Sequence, residues 1–184
     1  MTDIYTGAKT RLRAYRREDI DAALAYINDP EVKRYLAPGI PFPLTREDEE
    51  RFFAGNSANK DCYSFAIDTL DGRYIGGCGV HQVDWKNSVC EVGIFIGDRA
   101  LWGQGFGTDA FGVLVRFAFE QMNLNKVRLR VYDYNLRGIK SYLKLGFKKE
   151  GVMRQELFKD GKYHDIVMMG LLREEWTGRM KNEK

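Results

Sequence analysis

The segment at residues 100–122 reads ALWGQGFGTDAFGVLVRFAFEQM, and it joins a glycine-rich stretch to a long apolar one. Gly103, Gly105 and Gly107 come directly before the apolar residues. Glycine costs conformational entropy on folding, so three in alternation indicate an unusual backbone path or a close ligand approach. The apolar residues cover most of a helix surface, which predicts a helix packed on a sheet. We expect an anion such as a pyrophosphate at the first turn of this helix, where backbone N–H groups converge.

Two known phosphate motifs can be compared with this segment. The sequence G-x-x-x-x-G-K-[ST] does not occur, which excludes a P-loop. Residues 105–110 do match G-x-G-x-x-A, and Asp133 follows the next predicted strand, as a ribose-binding acid would in a dinucleotide-binding oxidoreductase. However, a doubly wound domain would begin with this unit and continue through further strand–helix pairs. Dinucleotide binding is therefore kept only as the weaker alternative.

Outward from this segment, the periodicities predict a definite order of elements. A first strand and a helix are followed by helices that begin after Asp29 and Thr45. Three strands then form an antiparallel meander. The elements predicted after the meander are a helix from the glycines to about residue 122, a strand over 126–132, a helix over 136–146 that ends at Gly146, and a hairpin over 147–172 that turns at Asp160-Gly161.

Composition sets the class of protein. The chain has 184 residues, 44% hydrophobic and 30% charged, which predicts one domain, residues 1–184, with a sizeable core. The net charge of +3 is too mild for nucleic acid or a membrane surface to be the expected partner. No segment reads as a signal peptide or membrane span, so a cytoplasmic location is expected. Cys62, Cys78 and Cys90 lie far apart in strand-like segments, which favours buried apolar roles over a disulfide or metal site.

Two motifs resemble those of the GNAT superfamily of N-acetyltransferases. LWGQGFGTDA, residues 101–110, is similar to its acetyl-CoA signature Q/R-x-x-G-x-G/A, and NLRGIKSYLKLGFKKEG, residues 135–151, is similar to its second signature. The closing hairpin, residues 157–176, resembles the branch that holds ribosomal-protein N-terminal (RimJ/RimL-like) and polyamine (spermidine) acetyltransferases. The resemblance implies an α/β (α+β) GNAT fold, in which a mixed sheet of about seven strands, mostly antiparallel with one splayed parallel pair, is flanked by about four to five helices.

The resemblance also implies acetyl-CoA as cosubstrate, with no metal. Its pyrophosphate is expected on the backbone amides around a run of five residues: Gln104, Gly105, Phe106, Gly107 and Thr108. Gly107 is expected to need both open space and an unusual backbone angle. The pantetheine arm is expected to pair with the backbone of 94–96, including Phe95 and Ile96, and to receive a hydrogen bond from Asn135. Asn135 could instead serve only as a helix N-cap.

Two residues depart from the family pattern. Trp102 stands where the family usually has Gln or Arg, and Gly138 stands where it often has Ala or Ser. The tryptophan removes a side-chain contact to phosphate. Neither change affects the backbone amides that are expected to hold the pyrophosphate.

Acetyl transfer requires a neutral amine, an oxyanion donor and a proton for the leaving thiolate. Tyr142 matches the family's acid, although it could also be a core tyrosine. Glu91, in the central strand, could accept the amine proton directly or through water, or could be an ion-pair partner. The amides of 94–96 are the expected oxyanion donors. Neither His81 nor His164 lies in a nucleophile motif, so direct attack without an acyl-enzyme is expected.

The acceptor is the least determined part of the prediction. Acids in the early helices could attract a cationic amine such as a polyamine, although acids in first helical turns usually face solvent; they are Asp29, Glu31, Glu47, Asp48, Glu49 and Glu50. A protein N-terminus or another small-molecule amine is equally compatible with the sequence. A non-catalytic acyl-CoA-binding module is the alternative outside enzymes, and the oligomeric state is left open between monomer and homodimer.

Overall fold

The strands predicted from the sequence form one mixed sheet of seven strands in the order β1-β2-β3-β4-β5-β7-β6. A computed structural model describes residues 3–36, 39–55 and 61–177. Its strands are β1 (Thr10–Arg13), β2 (Tyr63–Thr69), β3 (Tyr74–Asp84), β4 (Val89–Ile96), β5 (Lys126–Tyr132), β6 (Lys148–Lys159) and β7 (Lys162–Leu172). Only β4 and β5 pair in parallel, so the predicted fold class is confirmed and a doubly wound dinucleotide-binding sheet is excluded.

Six α-helices lie in the described residues, one more than the upper number expected. They are α1 (Ile20–Asn28), α2 (Pro30–Lys33), α3 (Arg46–Gly55), α4 (Phe106–Glu120), α5 (Leu136–Leu145) and α6 (Arg173–Thr177). The additional helix is α6, a five-residue segment directly after β7.

The predicted helix caps are present. The Asp29 carboxylate accepts hydrogen bonds from the N–H groups of Glu31 and Val32, with Pro30 at the first position of α2. Thr45 exchanges hydrogen bonds with Asp48 at the start of α3. Phe53 of α3 packs with Ala66 and Tyr74 on one face of the sheet, where Ala23 of α1 also packs.

The opposite face of the sheet packs on α4. Phe111, Leu114 and Val115 of α4 are fully buried, in one cluster with Val80, Val127 and other strand residues. Burial of this apolar surface is the main stabilisation of the fold. Cys78 and Cys90 are buried as expected, whereas Cys62 is only half-buried and precedes β2.

The polar stripe of α4 binds the N-terminal segment. The Asp109 carboxylate accepts hydrogen bonds from the N–H groups of Ala8, Lys9 and Thr10 at 2.8–3.0 Å and from the Thr10 hydroxyl at 2.6 Å. Arg116 donates to two carbonyl groups of the same segment. The N-terminal segment is thereby held beside the first turn of α4.

The parallel pair β4–β5 separates along its length. Its register joins Val89 to Lys126, Cys90 to Val127 and Glu91 to Arg128, and no pairing continues beyond Glu91. The rest of β4, from Val92 to Ile96, pairs with β3 alone. This splay leaves one side of the β4 backbone without a strand partner, at the place where the glycine-rich turn leads into α4.

Candidate active site

A cleft of about 1080 Å³ opens where β4 and β5 separate. One part lies between the end of β4 and the first turns of α4 and α5, and the other lies under α1–α3 and the segment that links them. Eight of the predicted site residues line the cleft: Glu91, Phe95, Ile96, Gly105, Gly107, Thr108, Asn135 and Tyr142.

The glycine-rich turn takes the unusual backbone path that its composition predicts. Gly103 has φ of +77° and Gly105, the N-cap of α4, has φ of +88°, both in the region that favours glycine. The expectation of an unusual angle at Gly107 is wrong, because Gly107 lies inside α4 and has no positive φ. A Cβ at Gly107 would lie 3.4 Å from a side-chain carbon of Ile96, which is an ordinary contact distance, so the protein itself leaves room there for a small side chain.

Gln104 and Phe106 are not among the residues that line the cleft. The side-chain N–H of Gln104 donates a hydrogen bond to the backbone carbonyl of Ala100. The backbone carbonyl of Gln104 accepts a hydrogen bond from the Lys9 ammonium. Phe106 packs against the core, with the Lys9 ammonium 5.4 Å from its ring centre. Any contact of these two residues with a cofactor would therefore be through their backbone.

Trp102 is the centre of a cationic cluster that sequence reasoning missed. The Arg137 guanidinium lies 3.7 Å from the Trp102 ring centre and 5.4 Å from that of Tyr35. Among the described residues, Arg137 makes no hydrogen bond and no ion pair, and burial lowers its pKa. It also stands in the first turn of α5, where the helix dipole disfavours a cation. A cation held in this way on the cleft wall is suited to bind an anion.

Asn135 caps α5, which is the alternative role that the sequence allowed for it. Its side-chain oxygen accepts a hydrogen bond from the Gly138 N–H at 3.0 Å. A Cβ at Gly138 would lie 2.8 Å from the Asn135 side-chain nitrogen, which explains why this chain has glycine there. A bond from Asn135 to pantetheine stays a prediction.

Tyr142 lies between the core and the cleft. Its ring packs against Phe111 and Phe147, at centre distances of 4.9 and 6.1 Å. Its hydroxyl makes no hydrogen bond with the described residues, and burial raises the pKa of Tyr142 to about 12. The phenol is therefore protonated throughout the neutral range, as a proton donor to a thiolate must be.

Glu91 forms an ion pair, which is the second of the two roles that the sequence allowed for it. Its Oε1 accepts a hydrogen bond from the Arg130 Nε–H at 2.9 Å and lies 2.8 Å from Arg130 Nη2, and its Oε2 accepts no hydrogen bond from the described residues. His81 lies opposite Glu91 in the register of β3 and β4, and it also lines the cleft. Its Nδ1 is 3.0 Å from the Cys62 sulfur, a pairing that the sequence did not predict. Strand alternation could have placed His81 and Glu91 on one face, but only if the register had been known.

The second part of the cleft is mainly apolar and contains few acids. Its apolar side chains are those of Ile27, Val32, Leu36, Ile40, Phe42, Leu44 and Phe52. Of the described cleft-lining residues, Glu91 alone carries a carboxylate, whereas six are lysine or arginine: Lys33, Arg130, Arg137, Lys140, Lys144 and Lys159. None of the acids proposed from the sequence to attract a polyamine lines the cleft. Glu49, for example, is buried within α3 instead.

The described ranges contain neither a metal-binding cluster nor a membrane-spanning helix. Residues 3–36, 39–55 and 61–177 contain no group of three or more His, Cys, Asp or Glu side chains able to hold a metal ion. In the same part of the chain, no helix has the length and apolar character needed to cross a membrane.

Comparisons with known proteins agree with this geometry. Residues 9–148 match the family described as acetyltransferase (GNAT) domain. The uncharacterized N-acetyltransferase p20 of Bacillus licheniformis is 32% identical, over 97% of this chain and 100% of that protein. The putative ribosomal N-acetyltransferase YdaF of Bacillus subtilis is 33% identical over 59% of this chain and 58% of that protein. The crystal structure of spermidine N-acetyltransferase from Vibrio cholerae in complex with CoA and spermine superposes with a TM-score of 0.83 at 22% identity, covering 91% of this chain and 98% of that one.

Proposed function

The chain belongs to the GNAT family of acetyltransferases, and from that premise we propose that it transfers the acetyl group of acetyl-CoA to a primary amine by direct attack. The observation that carries the proposal is the cleft itself. It joins a splayed strand edge, a glycine turn at a helix N-terminus and a protonated phenol. Acetyl-CoA supplies the acetyl group as an activated thioester.

The residues at the first turn of α4 bind the cosubstrate in this proposal. Backbone N–H groups near Gly105 and Gly107 face the pyrophosphate, where the helix dipole adds to their attraction. Arg137 replaces the phosphate contact that Trp102 removes from the family motif, because the cation lies directly on the indole ring. The free side-chain amide nitrogen of Asn135 is available to the pantetheine arm while its oxygen caps α5.

The transfer step uses groups on both sides of the splay. Tyr142 donates its proton to the departing thiolate, and N–H groups of 94–96 stabilise the negative charge that develops on the acetyl oxygen. Glu91 provides negative charge at the amine end and a route for the amine proton, directly or through a neighbouring group. No acyl-enzyme is proposed, because Cys62 is not among the residues that line the cleft, and burial raises the pKa of Cys78, which does line it, so that Cys78 stays a thiol at neutral pH.

For the acceptor, the lining favours the N-terminal amine of a polypeptide over a polyamine. A polyamine carries several positive charges, each of which loses hydration in the cleft and requires a carboxylate partner. The described lining supplies one carboxylate, and that one is paired with Arg130. An N-terminal residue brings a single charge and an apolar side chain, which suits the apolar wall.

A panel of amines tests this proposal. Acetyl-CoA turnover is measured with spermidine, spermine, free amino acids and short peptides that begin with apolar residues, at equal concentration. We expect the peptides to have the highest kcat/KM. Faster acetylation of spermidine would contradict the acceptor assignment while leaving acetyl transfer intact. CoA binding without turnover on any amine would support the non-catalytic acyl-CoA-binding alternative.

A further inference from the structure

His81 is held over the sheet by an irregularity in β3. The regular pairing of β3 with β4 breaks immediately after His81, and the next residue, Gln82, has φ of +47°. A positive φ is costly for a residue with a side chain, and a bulge beside a site often redirects one. The break therefore fixes where the imidazole points.

Two glycines make room for the imidazole. A Cβ at Gly79 would lie 2.9 Å from a ring carbon of His81, and a Cβ at Gly93 would lie 4.0 Å from its Nε2. The ring thus lies flat over positions where other residues would have side chains. His81, Gly79 and Gly93 all line the cleft, and Gly93 lies within the part of β4 that has separated from β5.

The two ring nitrogens have different surroundings. Nδ1 is 3.0 Å from the Cys62 sulfur, which is itself 3.6 Å from the Ser64 hydroxyl. When Nδ1–H donates to the sulfur, and the thiol donates to Ser64, Nε2 keeps a lone pair. Nε2 is the ring nitrogen that lies 3.0 Å from a Cβ position at Gly79 and 4.0 Å from one at Gly93, and both glycines line the cleft.

The charges around His81 favour a neutral ring that can be protonated during the reaction. Burial lowers the pKa of His81, and the Glu91 carboxylate opposes this effect in part. Cys62, directly before β2, and Glu91 on β4 are the titratable groups that face the ring, and Arg130 on β5 neutralises part of the Glu91 charge. At neutral pH the imidazole is therefore available as a base.

We propose that His81 Nε2 is the first acceptor of the amine proton, with Cys62 as a positioning residue and Glu91 as the counter-charge. This rests on the proposed acetyl transfer. The substrate ammonium loses one proton to Nε2, and its nitrogen bonds to the acetyl carbon while the carbon–sulfur bond breaks. The thiolate takes the Tyr142 proton, and the second proton lost by the nitrogen restores the phenol through solvent. His81 releases its proton to solvent after turnover.

The chain contains a matched control, because it has two histidines. The Nδ1 of His164 lies 3.3 Å from an Asp133 carboxylate oxygen, and His164 is not among the cleft-lining residues. We therefore compare His81→Gln with His164→Gln, using the panel peptide that the wild-type protein acetylates fastest. The expected result at pH 7 is a loss in kcat/KM of about 10²-fold for His81→Gln and no change for His164→Gln.

The pH profile separates a base from a structural residue. An N-terminal amine titrates near pH 8, so at pH 9.5 it arrives already neutral, and the defect of His81→Gln is expected to shrink to a few-fold. A defect of equal size at every pH would assign His81 a structural role and overturn the proposal, as would superimposed profiles of His81→Gln and wild type. A wild-type protein that acetylates no amine would instead contradict the proposed function.

The titration of His81 tests whether Cys62 positions the imidazole. Histidine NMR of the intact protein, assigned with His164→Gln, is expected to show His81 titrating below the ordinary value of about 6.5. Cys62→Ala is expected to shift that titration and to lower kcat/KM a few-fold. An unchanged titration in Cys62→Ala would refute the positioning role. Complete loss of turnover in folded Cys62→Ala, with acetyl label on the wild-type thiol, would refute direct transfer.

Discussion

Replacing Tyr142 by phenylalanine removes one hydroxyl and almost nothing else. The ring contacts with Phe111 and Phe147 are retained. Because the hydroxyl has no hydrogen-bond partner among the described residues, its removal leaves no buried polar group unsatisfied. We therefore expect the free energy of unfolding to change by less than about 0.5 kcal/mol.

The effect on catalysis should be much larger than the effect on stability. Burial raises the pKa of Tyr142 to about 12, so the phenol is protonated at neutral pH. A thiol titrates near 8.5, so complete proton transfer to a free thiolate is uphill, and the phenol acts by donating a hydrogen bond to the sulfur as negative charge develops there, with the proton following as the carbon–sulfur bond breaks. Loss of a general acid typically costs about 10²-fold in kcat, or roughly 2.7 kcal/mol. CoA affinity should stay within a few-fold, since the phenol acts on the leaving group.

The assay compares kcat under conditions where chemistry limits turnover, CoA affinity by calorimetry, and unfolding in urea. Tyr163→Phe is the matched control, because Tyr163 is exposed and is not among the cleft-lining residues. A folded Tyr142→Phe protein with wild-type kcat would refute the reasoning and assign Tyr142 to the core alone.

Four further predictions concern the cleft and α3. Arg137→Gln should weaken CoA binding about tenfold, and Arg137→Lys should weaken it less, because lysine keeps the charge without the planar fork. Affinity is measured by calorimetry, and equal CoA affinities of wild type and Arg137→Gln would contradict the role of Arg137 as a phosphate ligand. Gly105→Ala should cost about 1 kcal/mol in urea unfolding, since φ of +88° is strained for alanine, and Gly107→Val should weaken CoA binding through space alone. Glu49→Gln should raise the free energy of unfolding at pH 7, because burial raises the pKa of Glu49 and the fold disfavours its charge. The gain in the free energy of unfolding should vanish below about pH 4, where glutamate is protonated in both the folded and the unfolded state. A gain of the same size at every pH would show that the buried charge of Glu49 is not its cause.

The amino-acid sequence by itself determined the order and type of the elements. Glycine spacing, helix caps and apolar periodicity are local, so they predicted α4 after the glycine turn, the end of α5 at Gly146 and the hairpin turn at Asp160-Gly161. The family motifs predicted residues of the cleft lining, because each motif is one continuous segment whose backbone geometry is local.

Only the tertiary structure decided which side chains share the cleft. Arg137 meets Trp102 through the packing of α5 beside the glycine turn, and His81 meets Cys62 and Glu91 through the register of three strands. Register and splay depend on contacts between residues far apart in the chain, which no local pattern encodes. The dependence on distant contacts also explains why the acids of the early helices do not line the cleft. Their sequence positions suggested an acceptor site, but the packing of those helices on the sheet keeps them out of the cleft lining.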